Sequence, residues 1–290
     1  MTGTAPEISQ HGTRPGRAAD LRVRARGRKP HGAAVHPTAL VDPEAVLGEG
    51  VEVGAYTVIG PDVRIGPMTR IGAHCVLEGY TTIGSQCEIF TGAVIGSIPQ
   101  DLKFTGEKSE LRIGDRNRIR EYVTINPGTK GGGGKTVIGS DCLLMAYAHV
   151  AHDCRIGDHV IIANSAALAG HILMEDGAVI GGLVGLHQFV RVGMLAIVGG
   201  CSKVVQDVPP YATCVGYPAK VFGLNTEGLR RAEVSAQTRD RLHKAFRLLF
   251  RSGLSMRHAV EQVARDIAPC QEVDHLLQFI RQSKRGICRA

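Results

Sequence analysis

Histidines are concentrated between residues 149 and 187, in a part of the sequence that is otherwise mostly aliphatic. His149 and His152 lie three residues apart, Asp153 directly follows His152, and His171 and His187 come later. A neutral imidazole accepts a proton from a hydroxyl near pH 7, and a neighbouring carboxylate orients the ring and stabilises the imidazolium. The His152–Asp153 pair is therefore a candidate general base.

The spacing of residues around this pair suggests how a site could be assembled. His152, Gly170 and Gln188 are evenly spaced along the chain, and His171 directly follows Gly170. A backbone N–H at a glycine can stabilise an oxyanion. Base, orienting carboxylate and oxyanion donor predict acyl transfer to an alcohol without a Ser or Cys nucleophile. A single histidine here would more often be a turn or surface residue, and Gln188 alone would suit a turn, but the grouping favours a function.

A repeat of six residues predicts the element that positions this group. An aliphatic residue recurs at every sixth position through 26 units, with two interruptions. The aliphatic residues are Val35, Val41, Leu47, Val53, Ile59, Ile65, Ile71, Leu77, Ile83, Ile89, Ile95, Ile113, Ile119, Ile125, Ile138, Leu144, Val150, Ile156, Ile162, Leu168, Met174, Ile180, Leu186, Val192, Val198 and Val204.

This period predicts an all-β solenoid in which each unit is one short strand and one turn. The aliphatic residue points inward with a small residue four positions later, glycine relieves the corner, and coils stack as parallel strands because one unit cannot bury its own apolar side chain. The pattern resembles that of the hexapeptide-repeat families, in which three units make one coil of 18 residues. This resemblance implies that His152, Gly170 and Gln188 lie one coil apart and share an edge. We predict the solenoid over residues 31–222, with insertions at 97–110 and 128–135.

The two ends of the chain lack this period. Residues 223–290 predict a helical C-terminal domain, with Ser235 as N-cap of a helix to about Ser252 and further helices over 256–267 and 273–282. Residues 1–30 carry seven basic residues against two acidic ones and predict a disordered basic tail. An organelle transit peptide is a less favoured alternative, because serine and amphipathicity are scarce.

Composition restricts the class of protein. No apolar stretch is long enough for a membrane span, no signal-peptide core is present, and the eight cysteines include no C-x-x-C pair. We therefore expect a cytoplasmic enzyme with reduced thiols, without stable membrane insertion and without a nucleic-acid partner. Residues 221–290 carry 13 basic residues against seven acidic ones, which suits an acidic protein partner or a merely solvated surface.

Several segments resemble the UDP-N-acetylglucosamine O-acyltransferases of lipid A synthesis, a hexapeptide-repeat transferase family. The resemblance runs from about Val35 to the C-terminus. The segments are Gln100–Lys103, Ile113–Glu121, Ala148–Cys154, Leu168–His171 and Val198–Ser202.

The resemblance implies a left-handed parallel β-helix, a homotrimer, and transfer of a 3-hydroxyacyl chain from acyl carrier protein to the 3-OH of UDP-N-acetylglucosamine. It implies no cofactor and no metal. His152 is implied as the base, Asp153 as its partner and Gly170 as the oxyanion donor. The implied substrate-binding residues are Asp101, Lys103, His149, His171, Gln188, Asn225, Glu227 and Arg231.

The sequence departs from the family pattern at two places. Ala232 stands where many members have a second arginine, so that Arg230 is a possible replacement, and Asn126-Pro127 stands where some members have His-Arg. Gly200 matches a position where a small residue leaves the acyl groove open, which implies a chain of lauroyl to myristoyl length.

Three other interpretations remain open at this point. The related UDP-3-O-acylglucosamine N-acyltransferase usually has an extra N-terminal domain, and only 34 residues precede Val35 here. A zinc enzyme of the carbonic anhydrase type needs three converging histidines. If the protein is a non-catalytic trimeric scaffold, replacement of His152 by alanine should change no measurable property.

Overall fold

Three β-sheets, parallel except for the last strand of sheet A, form the walls of a prism in the computed structural model, which describes residues 32–289. Sheet A has eleven strands: Ala34–Val35, Glu52–Val53, Arg70–Ile71, Glu88–Ile89, Arg118–Ile119, Leu143–Leu144, Ile161–Ile162, Val179–Ile180, Ile197–Val198, Ala212–Gly216 and Ala219–Leu224. Sheet B has nine: Leu40–Val41, Val58–Ile59, Val76–Leu77, Val94–Ile95, Thr124–Ile125, His149–Val150, Ala167–Leu168, Gly185–Leu186 and Lys203–Val204. Sheet C has eight: Val46–Leu47, Arg64–Ile65, Tyr80–Ile83, Glu110–Ile113, Lys135–Ile138, Arg155–Ile156, Leu173–Met174 and Arg191–Val192.

The register of the sheets follows the repeat. His149 pairs with Ala167 and Ala167 with Gly185, so each coil contains three units of the repeat. The second residue of each strand points inward, and Leu144 and Leu168 are fully buried. Burial of apolar surface is the main source of stability in such a fold.

The small inward position is occupied by buried residues that include four free thiols. Cys75, Cys87, Cys142 and Cys154 are buried and unpaired in disulfides, as predicted. Burial raises the pKa of Cys142 to about 11 and that of Cys154 to about 12. These thiols therefore stay protonated and inert at neutral pH.

The corner glycines have a different role from the one predicted. The left-handed backbone conformation falls two residues after that position, mostly on non-glycine residues such as Tyr56 and His171 and at a few corners on a glycine such as Gly50. Gly66 is required instead because a Cβ there would lie 2.6 Å from the carbonyl carbon of Gly84 in the next coil. Close stacking of coils, rather than bending of the chain, selects glycine at that position.

The left-handed residues define the three edges of the prism. Edge AB joins sheets A and B and carries Tyr56, His74, Tyr122, Tyr147, Ser165, Leu183 and Cys201. Edge BC carries Asp153, His171 and Phe189. Edge CA carries Met68, Gln86, Arg116, Asp141, His159 and Leu195.

Both insertions leave the solenoid at edge BC. The first connects Ile95 of sheet B to Glu110 of sheet C, and the second connects Ile125 of sheet B to Lys135 of sheet C. The second contains a short 3₁₀-helix, Lys130–Gly132. Edge BC is therefore the edge that additional chain covers.

The C-terminal part contains four helices: α1, Thr226–Arg231; α2, Ala236–Arg251; α3, Met256–Asp266; and α4, Gln271–Arg281. Ser235 caps α2 by accepting a hydrogen bond from the N–H of Thr238, as predicted. Helix α1 and the antiparallel pair Ala212–Gly216 and Ala219–Leu224 were not predicted. The last strand crosses the boundary expected at residue 222.

The helices pack on the last coils of the solenoid. The guanidinium of Arg191 lies 4.0 Å from the centre of the Phe279 ring, and the imidazole of His275 contacts the carboxylate of Glu175 at 3.0 Å. Within residues 32–289 no helix combines the length and the apolar character that a bilayer span requires. The tail predicted at residues 1–30 lies outside the described residues.

Candidate active site

His152 and Asp153 form a hydrogen-bonded pair at edge BC. The Nδ1 atom of His152 lies 2.8 Å from Oδ2 of Asp153. The carboxylate is fully buried, whereas 13% of the imidazole surface is exposed. Since a carboxylate can only accept, Nδ1 carries the hydrogen and Nε2 keeps a lone pair. This is the tautomer that a general base needs.

The second insertion holds the carboxylate of Asp153 in place. The backbone N–H of Thr129 donates to Oδ1 at 2.9 Å, and the Thr129 hydroxyl donates to Oδ2 at 2.7 Å. The N–H of Asp153 donates to the hydroxyl of Thr136 at 2.8 Å. Sequence reasoning missed Thr129 and Thr136, because neither is separated from Asp153 by a whole number of regular coils.

Gly170 lies directly beside the ring of His152, as the spacing predicted. A Cβ at Gly170 would lie 2.5 Å from Cε1 and 2.7 Å from Nε2 of His152. A side chain there would displace the imidazole. Within residues 32–289, the N–H of Gly170 donates no backbone hydrogen bond and remains free for a ligand.

His171 lies between two rings of the same edge. Its ring centre is 5.1 Å from that of His152, nearly perpendicular to it, and 4.3 Å from that of Phe189, nearly parallel to it. Burial lowers the pKa of His171, and the charges of Asp153 and Asp101 oppose that shift. Phe189 was missed, although it follows His171 by one full coil.

His149 projects outward from sheet B next to this group. Its Nδ1 atom lies 2.7 Å from the hydroxyl of Thr124 in the preceding coil. Burial, followed by the nearby His152, lowers the pKa of His149. His149 is therefore mostly neutral at pH 7, and a substrate-binding role for it stays a prediction.

The remaining residues predicted at this edge are less enclosed. Asp101 is half-buried in the first insertion, near enough for its charge to raise the pKa of His171. Lys103 is exposed, and its N–H donates to the carboxylate of Asp101 at 3.0 Å. Gln188 is exposed, in the coil after Gly170. Asn126, to which the sequence assigned no role, anchors this insertion by donating to the carbonyl oxygen of Ser97 at 2.9 Å.

Asn225, Glu227 and Arg231 lie at helix α1. The Asn225 side chain accepts a hydrogen bond from the N–H of Gly228 at 3.0 Å and donates one to the carbonyl oxygen of Leu195 at 2.8 Å. Its oxygen and its nitrogen are thus both used in hydrogen bonds that stabilise the fold. Glu227 binds the guanidinium groups of Arg230 and Arg231, which lower its pKa to about 2. A nucleotide-binding role for the three residues stays a prediction.

Gly200 lies at edge AB, where a Cβ would approach the carbonyl oxygen of Gly182 to 3.2 Å. His152 lies at the opposite edge of sheet B. An acyl chain that reaches Gly200 of the same subunit would have to cross the outer face of sheet B. Ala167 and Gly185, which point outward from sheet B, are small and would leave space for such a chain on that face.

His152, Asp153 and His171 also have ligand atoms within 4.8 Å of one another, the only such group of metal-ligand side chains among residues 32–289. Two histidines and a carboxylate suit a divalent transition metal. However, Nδ1 of His152 is bonded to Oδ2 of Asp153, and this oxygen also accepts from Thr129. A metal there would have to break the bond that orients the base.

Sequence comparisons identify the family. The relative from Myxococcus xanthus, an acyl-[acyl-carrier-protein]–UDP-N-acetylglucosamine O-acyltransferase, is 54% identical over 257 residues, which cover 89% of this chain and 100% of the relative. The relative of that name from a Sulfurovum species is 49% identical and covers 88% of this chain and 97% of its own length. The chain belongs to the UDP-N-acetylglucosamine O-acyltransferase family.

Two family models support this assignment. The hexapeptide-repeat model of bacterial transferases matches residues 44–79 and 135–170. The model described as UDP N-acetylglucosamine O-acyltransferase, domain 2, matches residues 207–288. The resemblance seen in the sequence motifs is therefore confirmed.

Solved structures of the acyltransferase family share the architecture. The enzyme from Moraxella catarrhalis superposes with a TM-score of 0.84 at 40% identity, covering 88% of this chain and 99% of its own. The Arabidopsis enzyme gives a TM-score of 0.78 at 37% identity, covering 88% of this chain and 100% of its own. These comparisons confirm the left-handed parallel β-helix with a helical C-terminal region.

Proposed function

We propose that this acyltransferase moves a 3-hydroxyacyl chain from acyl carrier protein to the 3-OH of UDP-N-acetylglucosamine, the first step of lipid A biosynthesis. The observation that carries the proposal is the arrangement at edge BC, where an oriented imidazole lies against a glycine with a free N–H. Family membership supplies the two substrates.

The reaction follows from that arrangement. The Nε2 atom of His152 removes the proton of the sugar 3-OH, and the oxygen attacks the carbonyl carbon of the thioester. The tetrahedral oxyanion accepts a hydrogen bond from the N–H of Gly170. When the intermediate collapses, the C–S bond breaks and the imidazolium returns its proton to the thiolate of the carrier. Asp153 stabilises the imidazolium between these two steps.

The polar residues at and beyond edge BC would contact the substrates. His149 and His171 are neutral donors or acceptors next to the base, and Asp101, Lys103 and Gln188 extend the polar surface beyond it. Asn225, Glu227 and Arg231 would serve the nucleotide, and the basic C-terminal segment would attract the acidic carrier protein. Glycine at position 200 favours an acyl chain of lauroyl to myristoyl length.

The active form would be a homotrimer that buries edge AB and the neighbouring faces. Tyr56, Tyr147 and Leu183 of this edge are 60%, 61% and 66% exposed. Leu40 and Val58 continue the exposed apolar surface on sheet B. A row of exposed apolar side chains of this kind marks a contact between proteins.

The assembly is tested by sedimentation of the wild-type protein and two variants. Tyr147→Asp at edge AB should shift the trimer towards monomer, because a charge would be buried in the contact. The matched control Leu173→Asp changes an exposed apolar residue of sheet C and should leave the trimer intact. A wild-type monomer, or a trimer unaffected by Tyr147→Asp, would reject this arrangement.

The activity is tested by mass analysis of products after incubation with UDP-N-acetylglucosamine and 3-hydroxyacyl carrier proteins of increasing chain length. We expect an ester at the 3-position, with the highest rate at the longer chains. UDP-3-O-acylglucosamine as alternative acceptor tests for N-acylation. Stoichiometric zinc in the active protein, with loss of the rate on chelation, would contradict the metal-free mechanism.

A further inference from the structure

The second insertion contacts the Asp153 carboxylate through both hydrogen-bond donors of one residue, Thr129. Thr129 donates its N–H to Oδ1 at 2.9 Å and its hydroxyl to Oδ2 at 2.7 Å, and Thr129 is itself buried. Asp153 thus accepts two hydrogen bonds from Thr129 and one from His152. We propose that Thr129 is a positioning residue for the reaction, acting on His152 through Asp153. This inference rests on the proposed function.

The backbone of the insertion is fixed on both sides of Thr129. The carbonyl oxygen of Thr129 accepts from the N–H groups of Gly132 and Gly134, at 3.0 and 2.7 Å. The N–H of Gly128 donates to the carbonyl of Glu110 at 3.2 Å. Thr129 therefore meets Asp153 from a closed turn rather than from a free loop.

The first insertion stabilises this turn from outside. The carboxylate of Glu107 accepts from the N–H of Lys130 at 3.1 Å, and that bond is the main reason why the pKa of Glu107 falls to about 2. Glu107 thus holds the backbone at Lys130, and the preceding residue, Thr129, is hydrogen-bonded to Asp153, which in turn is hydrogen-bonded to His152. The two insertions therefore support one carboxylate.

Glycine at position 132 lets the turn lie across that carboxylate. A Cβ at Gly132 would lie 1.9 Å from Cγ of Asp153, closer than any allowed contact. The backbone thus lies directly against the carboxylate, and the side chain of Asp153 has no exposed surface. Water cannot replace the Thr129 hydrogen bonds without opening the turn.

The hydroxyl of Thr129 affects the base in two ways. It fixes the plane of the carboxylate, and with it the direction of the His152 ring. It also partly neutralises the carboxylate, so that the carboxylate attracts the imidazolium less strongly. Removing the hydroxyl should therefore raise the pKa of His152 while loosening its orientation.

The test compares Thr129→Val with Thr129→Ser in the full-length protein. The valine variant keeps the shape and the N–H but loses the hydroxyl. We expect kcat to fall by about 10- to 100-fold, the value of one hydrogen bond to a charged group, with KM little changed. We also expect the acid limb of the kcat/KM profile to move to higher pH. Thr129→Ser should restore both properties.

The matched control is Thr57→Val. Thr57 is also fully buried, and its hydroxyl donates to the carbonyl of Gly72 at 2.7 Å in the N-terminal coils. This variant should lose stability without any shift of the pH profile. NMR titration of the His152 ring in the free proteins gives a second readout, and a rise of its pKa is expected in Thr129→Val alone.

The outcomes separate this inference from the proposed function. If the wild-type protein makes no acylated sugar, the proposed function fails. If it is active but Thr129→Val keeps the wild-type kcat and pH profile, only the role of Thr129 is refuted. Should Thr129→Val not fold, Gly132→Ala displaces the turn without removing the hydroxyl; a wild-type pH profile and His152 titration in this variant would also refute that role.

Discussion

Edges AB and BC use the same left-handed turn and carry different chemistry. Tyr147 at edge AB and His171 at edge BC have φ values of 64° and 62°. The rings of Tyr122 and Tyr147 stack at 5.2 Å in the open, whereas the ring of His171 lies against Phe189 beside a buried carboxylate. The backbone of the repeat does not decide which edge becomes a site.

The difference lies in what covers each edge. Both insertions pass from sheet B to sheet C, so they cover edge BC alone, and Thr129 reaches Asp153 from one of them. Among residues 32–289 no insertion covers edge AB, and its aromatic side chains are exposed in the single chain, where the proposed trimer would bury them. A solenoid can therefore gain a catalytic edge by lengthening two turns in successive coils, without changing the coil itself.

The largest difference between the edges is expected when the imidazole at edge BC is removed. His152→Ala should reduce kcat by about 10²- to 10⁴-fold, the usual contribution of a general base. Steady-state kinetics with the acyl carrier substrate measure the loss. His159→Ala, at edge CA, should keep the wild-type rate. Equal losses in both variants would remove the distinction between edges.

A substitution in the interior of the prism should destabilise the whole fold rather than one edge. Leu144 is fully buried inside the prism, and Leu144→Ala should lower the free energy of unfolding by about 2–5 kcal/mol. Val46, which is 47% exposed on sheet C, should lower the free energy of unfolding by about 0.5 kcal/mol or less when it is replaced by alanine. Urea unfolding at one fixed protein concentration measures both changes. An unchanged free energy of unfolding in Leu144→Ala would mean that the aliphatic repeat does not form the core.

A smaller loss of kcat/KM is expected when the stack of His171 and Phe189 at edge BC is disrupted. Phe189→Leu removes the ring that stacks on His171 at 4.3 Å. Because such a pair contributes about 0.5–1.5 kcal/mol, kcat/KM should fall by about two- to tenfold. Leu173→Ala, a comparable change on sheet C, should leave kcat/KM as it is. An unchanged value in Phe189→Leu would show that the stack does not position His171.

The smallest effect is expected in the pH dependence of stability. The pKa values of His149 and His171 are lowered in the folded protein, mainly by burial, so that the unfolded chain binds more protons just below the ordinary value of about 6.5. Their contribution to stability is present at pH 7 and is lost as the pH falls.

We therefore expect the urea midpoint to decrease between pH 7 and pH 5.5, and His149→Gln to reduce this decrease. His159→Gln, at the exposed edge CA, serves as the control. A decrease that is as large in His149→Gln as in the wild type would show that protonation of His149 does not destabilise the fold.

Much of the site could be predicted because it follows the period of the solenoid. A coil length of 18 residues is sufficient to predict Gly170 beside His152 and His171 beside Asp153, and the structure has both pairs in contact. The same interval would have identified Phe189, had it been continued by one coil. Thr129 could not be found in this way, since the insertion places it 24 residues from Asp153 along the chain.

The sequence by itself determined the coil, because an aliphatic residue at every sixth position can be buried only if short strands stack at a fixed register. It also determined which residues share an edge. The tertiary structure alone decided that the chain between Gly128 and Gly134 turns back over Asp153, that Thr129 supplies two of its hydrogen bonds, and that Gly132 is needed for contact with a carboxylate. Periodic packing follows from local pattern, whereas a contact made by an aperiodic loop depends on where the surrounding chain leaves room for it.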